Sequence, residues 1–238
     1  MRAIIRPVST WALAAVCLAV LLLAAGSTGQ VRAAEEIRSF DSDVSVAADG
    51  SVDVTETISV NSEGLQIRHG IFRDIPVAPA DNRGQAAELA VTGATRDGHP
   101  EPFVVQGMGE GVSRIRIGSA DTLLEPGVHT YAMQYKLRDV VRRLADHEEV
   151  VWNVTGDAWS FPILKVSGRL RLPEGAAISG ALARTGRAAS GDQAVTILIP
   201  AANDLGFATT RTLVPGEGLT LAVMFHTGML AQPASAMK

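Results

Sequence analysis

Trp152 and Trp159 lie within a few residues of Glu148, Glu149 and Asp157. Tryptophan beside paired acids suits sugar chemistry. One carboxyl can protonate a glycosidic oxygen while a second acts as base or nucleophile, and the separation between the two sets the outcome. Spacing along a chain does not supply that separation, so a glycan-active enzyme and a non-catalytic carbohydrate-binding module both stay open. Other chemistry finds less support. The histidines are His69, His99, His129, His147 and His226, and no two show an H-x-x-x-H spacing for a metal. No G-x-S-x-G places a serine on a nucleophile elbow, and Ser113 and Ser160 have no local base. Residues 107–111 (GMGEG) form a glycine-rich loop between strands and match no phosphate-binding pattern. The sequence therefore assigns no catalytic residue, no metal site and no cofactor.

The segments that must carry these residues alternate apolar and polar positions with period two, the mark of half-buried strands. Val52, Val54, Ile58 and Val60 alternate after Asp49-Gly50, and Asp-Gly supplies the positive φ of a tight hairpin. Tyr131, Met133, Tyr135 and Leu137 form another such row, as do Leu164, Val166, Leu170 and Leu172. Asp97-Gly98 marks a further turn. Residues 139–149 (DVVRRLADHEE) alone read as helical, with Val140, Val141 and Leu144 on one face and His147 to Glu149 at a solvated end. Loops are expected over 78–85 and 184–192. The fold expected is mainly β: an antiparallel β-sandwich-like domain with one short helix, after an N-terminal signal segment.

That segment has Arg2 and Arg6 followed by an apolar run over residues 11–25. Its length suits a signal-peptide core and falls short of the roughly 20 residues of a spanning helix. Val31 and Ala33 stand at the −3 and −1 positions, so cleavage is expected after Ala33. The organisation expected is a signal peptide over 1–33, a β domain over 34–230 and a disordered tail over 231–238. Cys17, the only cysteine, falls in the apolar run, which leaves the exported domain without a disulfide or thiol. The net charge is −4, and the first 33 residues hold three arginines and no acid, so the remainder is more acidic still. That balance points away from nucleic acid, which selects clustered Lys and Arg.

Two stretches stand out together: residues 69–76 (HGIFRDIP) and residues 151–163 (VWNVTGDAWSFPI). With IRSF at 37–40, DGSVDVTE at 49–56 and PGEGLT at 215–220, they make the chain resemble the DUF2207 family of predicted bacterial membrane proteins, from about Glu36 to Phe225. The resemblance implies an extracytoplasmic β domain, usually followed by membrane helices. It brings no catalytic residues. Membrane association through a retained leader or a further C-terminal half is the matching expectation. Within these stretches His69, Arg73, Asp74, Trp152, Asn153, Asp157 and Trp159 are the candidate binding residues. Each also has a structural reading. Arg73, in an apolar setting, needs a carboxylate from another strand. Trp152 and Val154 share a core-facing side. The function expected is an interaction or sensing module of the bacterial envelope, with an envelope protein or glycan as partner.

Overall fold

The computed structural model describes residues 34–77, 87–187 and 191–230. The leader, the 78–85 loop and the 231–238 tail lie outside the described residues. Fifteen strands run in chain order: β1 (Glu36–Val46), β2 (Val52–Ser62), β3 (Ile71–Pro76), β4 (Leu89–Arg96), β5 (His99–Pro100), β6 (Phe103–Gly109), β7 (Val112–Ile117), β8 (Gly127–Leu137), β9 (Val141–Arg143), β10 (Glu148–Asn153), β11 (Val166–Arg171), β12 (Ile178–Gly186), β13 (Val195–Ala201), β14 (Asp204–Thr209) and β15 (Gly218–Phe225). They form an eight-stranded sheet in the order β13-β14-β11-β1-β2-β8-β4-β5, a four-stranded sheet β12-β15-β10-β9 and a three-stranded sheet β3-β7-β6. Pairing between strands is antiparallel except that β1 runs parallel to β11.

Alternation sends one face of each long strand inward. Phe40 and Val44 of β1, Val54 and Ile58 of β2, and Tyr131, Met133 and Leu137 of β8 are buried, as are Val150 and Trp152 of β10 and Leu219, Leu221, Val223 and Phe225 of β15. These side chains join one hydrophobic cluster between the sheets. Each Val, Leu or Ile removed from water contributes about 1.5–3 kcal/mol. The hairpins follow the turn chemistry. Gly50 has φ +81°, and Asp49 Oδ1 accepts from Ser51 N at 2.9 Å. Asp97 and Gly98 both take positive φ, as the tight turn between β4 and β5 requires.

The expected helix over 139–149 is absent. Asp139 sits at φ +61°, β9 follows, and Leu144 N bonds His147 O at 2.9 Å to close a hairpin into β10. Three apolar residues on one face were a weak helical signal, and pairing at the edge of the four-stranded sheet outweighs it. The charges that read as a helix surface are cross-strand partners instead. Arg142 meets Glu149 at 3.1 Å, and Arg143 meets Glu148 at 3.3 Å. Glu148, expected at a solvated helix end, is buried. The expected 184–192 loop also starts later, because Arg184 to Gly186 complete β12.

Candidate functional site

A cleft of about 290 Å³ opens between the edge of β3 and the turn that follows β10. Gly70 to Asp74 form one wall, Thr155, Gly156 and Ala158 to Phe161 the other, and Arg114 of β7 stands at the rim. The two sequence stretches singled out above thus face each other across it.

Arg73 lies behind this cleft and is buried. The period-two pattern of β3 turns it inward between Ile71 and Ile75. Its guanidinium donates from Nε and Nη2 to the two oxygens of Glu56 on β2, each at 2.8 Å. Nη2 also donates to Val154 O at 2.9 Å, and Nη1 to Asp74 O at 2.7 Å. Tyr135 on β8 donates its hydroxyl to Glu56 Oε1 at 2.6 Å. One side chain therefore ties the three-stranded sheet to the eight-stranded sheet and to the end of β10. Burial alone would pull the guanidinium down, but Glu56 more than offsets it and holds Arg73 above its ordinary value. For the buried Tyr135 hydroxyl, burial and then the Glu56 charge push it well up.

An aromatic layer supports the ion pair. Phe40 lies 5.4 Å from the guanidinium carbon and meets Trp159 edge to face at 6.3 Å between ring centres. Trp159 Nε1 donates to Thr155 O at 2.8 Å. The turn itself depends on Gly156, which has φ +71° and whose missing Cβ would stand 3.0 Å from Arg73 Nη1. Asn153 Oδ1 accepts from Gly156 N at 2.7 Å and closes the turn. At the rim, Arg114 forks onto Asp74 at 2.6 and 2.7 Å and stacks 5.3 Å over Phe72. The Asp74 hydrogen bond raises the Arg114 guanidinium above its ordinary value.

The structure places Arg73, Asp74 and Trp159 in the lining of the cleft and His69, Trp152, Asn153 and Asp157 outside it. His69 is exposed before β3, with Nδ1 2.9 Å from Thr122 O. Trp152 is buried in the core with no partner for Nε1 among the described residues. Asn153 shapes the turn, and Asp157 faces solvent outside the cleft. The tryptophan and acid cluster does not form a sugar platform, since Trp152 and Trp159 are both buried and Glu148 is committed to Arg143. Sequence reading missed Glu56, Tyr135, Arg114 and Phe72. Glu56 carried a signal: a carboxylate at an inward position of the Val52-Val54-Ile58-Val60 row implies a buried cation.

These features define an all-β domain of three sheets knotted together by one buried Arg–Glu–Tyr cluster beside a cleft of about 290 Å³. The chain belongs to the DUF2207 family. Residues 36–225 match the family described as "Predicted membrane protein (DUF2207) N-terminal domain". Among curated proteins it is similar to the uncharacterized protein YciQ of Escherichia coli (strain K12), with 35% identity over 133 residues, 55% of this chain and 21% of that one. The match thus spans about a fifth of the relative's length. Among solved structures, native yeast LTA4 hydrolase is similar at a TM-score of 0.50 and 12% identity, over 80% of this chain and 29% of that chain. An M1 zinc metallopeptidase from Deinococcus radiodurans aligns at 0.46 and 14%, over 79% and 42%. At these identities the likeness to the yeast enzyme concerns the fold alone. No helix among the described residues is long and apolar enough to cross a membrane.

Proposed function

We propose that this domain is a non-catalytic binding module displayed on the outer side of a bacterial membrane, and that its partner docks in the cleft between β3 and the 155–161 turn. The observation that carries the reading is the convergence of residues 69–76 and 151–163, far apart in sequence, on the two walls of one cleft. The polar groups at the cleft are spent on structure: Arg73 on Glu56, Asp74 on Arg114, and the Trp159 N–H on a carbonyl. That leaves recognition surface rather than an acid–base pair. The charged start and apolar run of the leader support export, and the family's description as a membrane protein supports attachment at the membrane.

Two measurements test this in cells expressing the full native gene. A photo-crosslinking amino acid in place of the exposed cleft residue Ala158 is expected to capture a partner, while the same group at Lys136 on another face is not. Equal capture at both positions, or none at Ala158, refutes the cleft. A membrane-impermeant thiol reagent is expected to label Glu110→Cys at the exposed tip between β6 and β7 in intact spheroplasts. Labelling only after lysis refutes the outward location.

A further inference from the structure

The edge of β3 facing the cleft is only partly shielded. Val77 N bonds Gly111 O at 2.7 Å, which sets the phase of the β3–β7 ladder. The N–H and C=O groups of Ile71, Arg73 and Ile75 then face β7, and those of Phe72, Asp74 and Pro76 face the open edge. Pro76 has no N–H to offer, and Asp74 O is taken by Arg73 Nη1. Phe72 N–H, Phe72 C=O, Asp74 N–H and Pro76 C=O remain, without a partner among the described residues, and Phe72 and Asp74 line the cleft. Natural sheets protect their edges, and here a proline and a guanidinium cap protect only part of one.

We propose that the cleft binds an extended, acidic polypeptide segment by strand addition at Phe72. This rests on the binding-module reading and names the partner's chemistry. A row of donor, acceptor and donor along a strand edge is the complement of another extended backbone. Charge selects the acid. Arg116 stands directly opposite Phe72 on β7 with no carboxylate partner among the described residues, whereas Arg114 beside it is already forked onto Asp74. A carboxylate on the added strand meets Arg116.

The probe is a phage-displayed random peptide library panned on the full chain, with selected peptides synthesised and titrated by fluorescence anisotropy. Acidic peptides are expected. N-methylation at alternate peptide residues should weaken binding at least tenfold, and at the residues between them far less. Phe72→Pro removes the ring together with an N–H that faces away from β7, so it should keep the β3–β7 bonds and lose at least tenfold, whereas Phe72→Ala, which removes the ring alone, loses less. Should the proline variant unfold, the N-methyl scan decides alone. Peptides that tolerate N-methylation throughout, or a library yielding none, overturn strand addition. A library failure alongside capture of a glycan or lipid at Ala158 leaves the binding module standing and removes only the peptide. Failure of both experiments removes both.

Discussion

Arg73 and Glu56 belong to strands of different sheets, yet they meet through two parallel hydrogen bonds of 2.8 Å with almost no solvent contact. Removing one member of such a pair strands a charge in the core. Glu56→Gln or Arg73→Met is expected to lower stability by about 3–5 kcal/mol in denaturant titration. Replacing both by apolar residues should recover most of that loss. Tyr135→Phe, which deletes a single bond to the carboxylate, should cost about 1.5–3 kcal/mol. A Glu56→Gln loss below about 1 kcal/mol would show that the pair does not join the sheets.

Acid should loosen the 63–67 segment, whose Gln66 and Ile67 also line the cleft. Glu35 accepts from the backbone N–H groups of Glu63, Leu65, Gln66 and Ile67 at 2.8–3.2 Å. Partial burial pushes its carboxyl up, but these bonds together hold it below the usual carboxylate value. A depressed carboxylate contributes stability above its unfolded pKa and loses it as pH falls through the folded one. Hydrogen exchange at residues 63–67 should therefore rise only at strongly acidic pH, and Glu35→Ala should show the same rise at neutral pH. An unchanged exchange pattern in that variant counts against the assignment.

At the alkaline end the burden falls on tyrosine. Burial pushes the Tyr131 hydroxyl up to about 12, and the hydroxyl has no partner among the described residues. The unfolded chain ionises near 10. Stability supplied by this group is thus complete below about 10 and is lost as pH rises from there toward about 12. Tyr131→Phe is expected to flatten the fall of melting temperature across that window. At pH 7 it should be neutral or stabilising by up to about 1 kcal/mol, because it removes an unsatisfied polar atom.

Gly70 and Gly118 are apposed where β3 and β7 begin and end. A Cβ on Gly70 would stand 1.9 Å from Ile117 O, and one on Gly118 2.0 Å from His69 O, both at positive φ. The obstacles are backbone atoms, which cannot step aside. Either Gly→Ala change should cost more than about 3 kcal/mol, read by thermal melting. Gly98→Ala, also at positive φ but with open space around it, should cost about 1 kcal/mol.

Legibility differed by the range of the interactions involved. The Asp49-Gly50 and Asp97-Gly98 turns and the alternating rows of β2 and β8 were readable because neighbouring residues decide them. The need of Arg73 for a carboxylate from another strand was readable too, since an apolar setting cannot hold a bare guanidinium. Which carboxylate it would be was not. Glu56 is 17 residues away, on another sheet. The 139–149 segment misled because its few apolar residues fit a helix face as well as a strand, and only its place at the edge of β10 settles the matter. Trp152 and Trp159 looked like a sugar platform beside acids. Packing between the sheets buries both.

By itself, then, the sequence determined a β-rich domain in the 36–225 region, its family and the two stretches that matter, since alternation, turn residues and motif order are local properties of the chain. The tertiary structure decided that these stretches face one another across a cleft, that Arg73 is held by Glu56, itself bonded by Tyr135, and that the β3 edge keeps unpaired groups from Phe72 to Pro76. Those facts depend on sheet order, ladder phase and long-range burial, which arise from the free energy of packing the whole domain rather than from any segment.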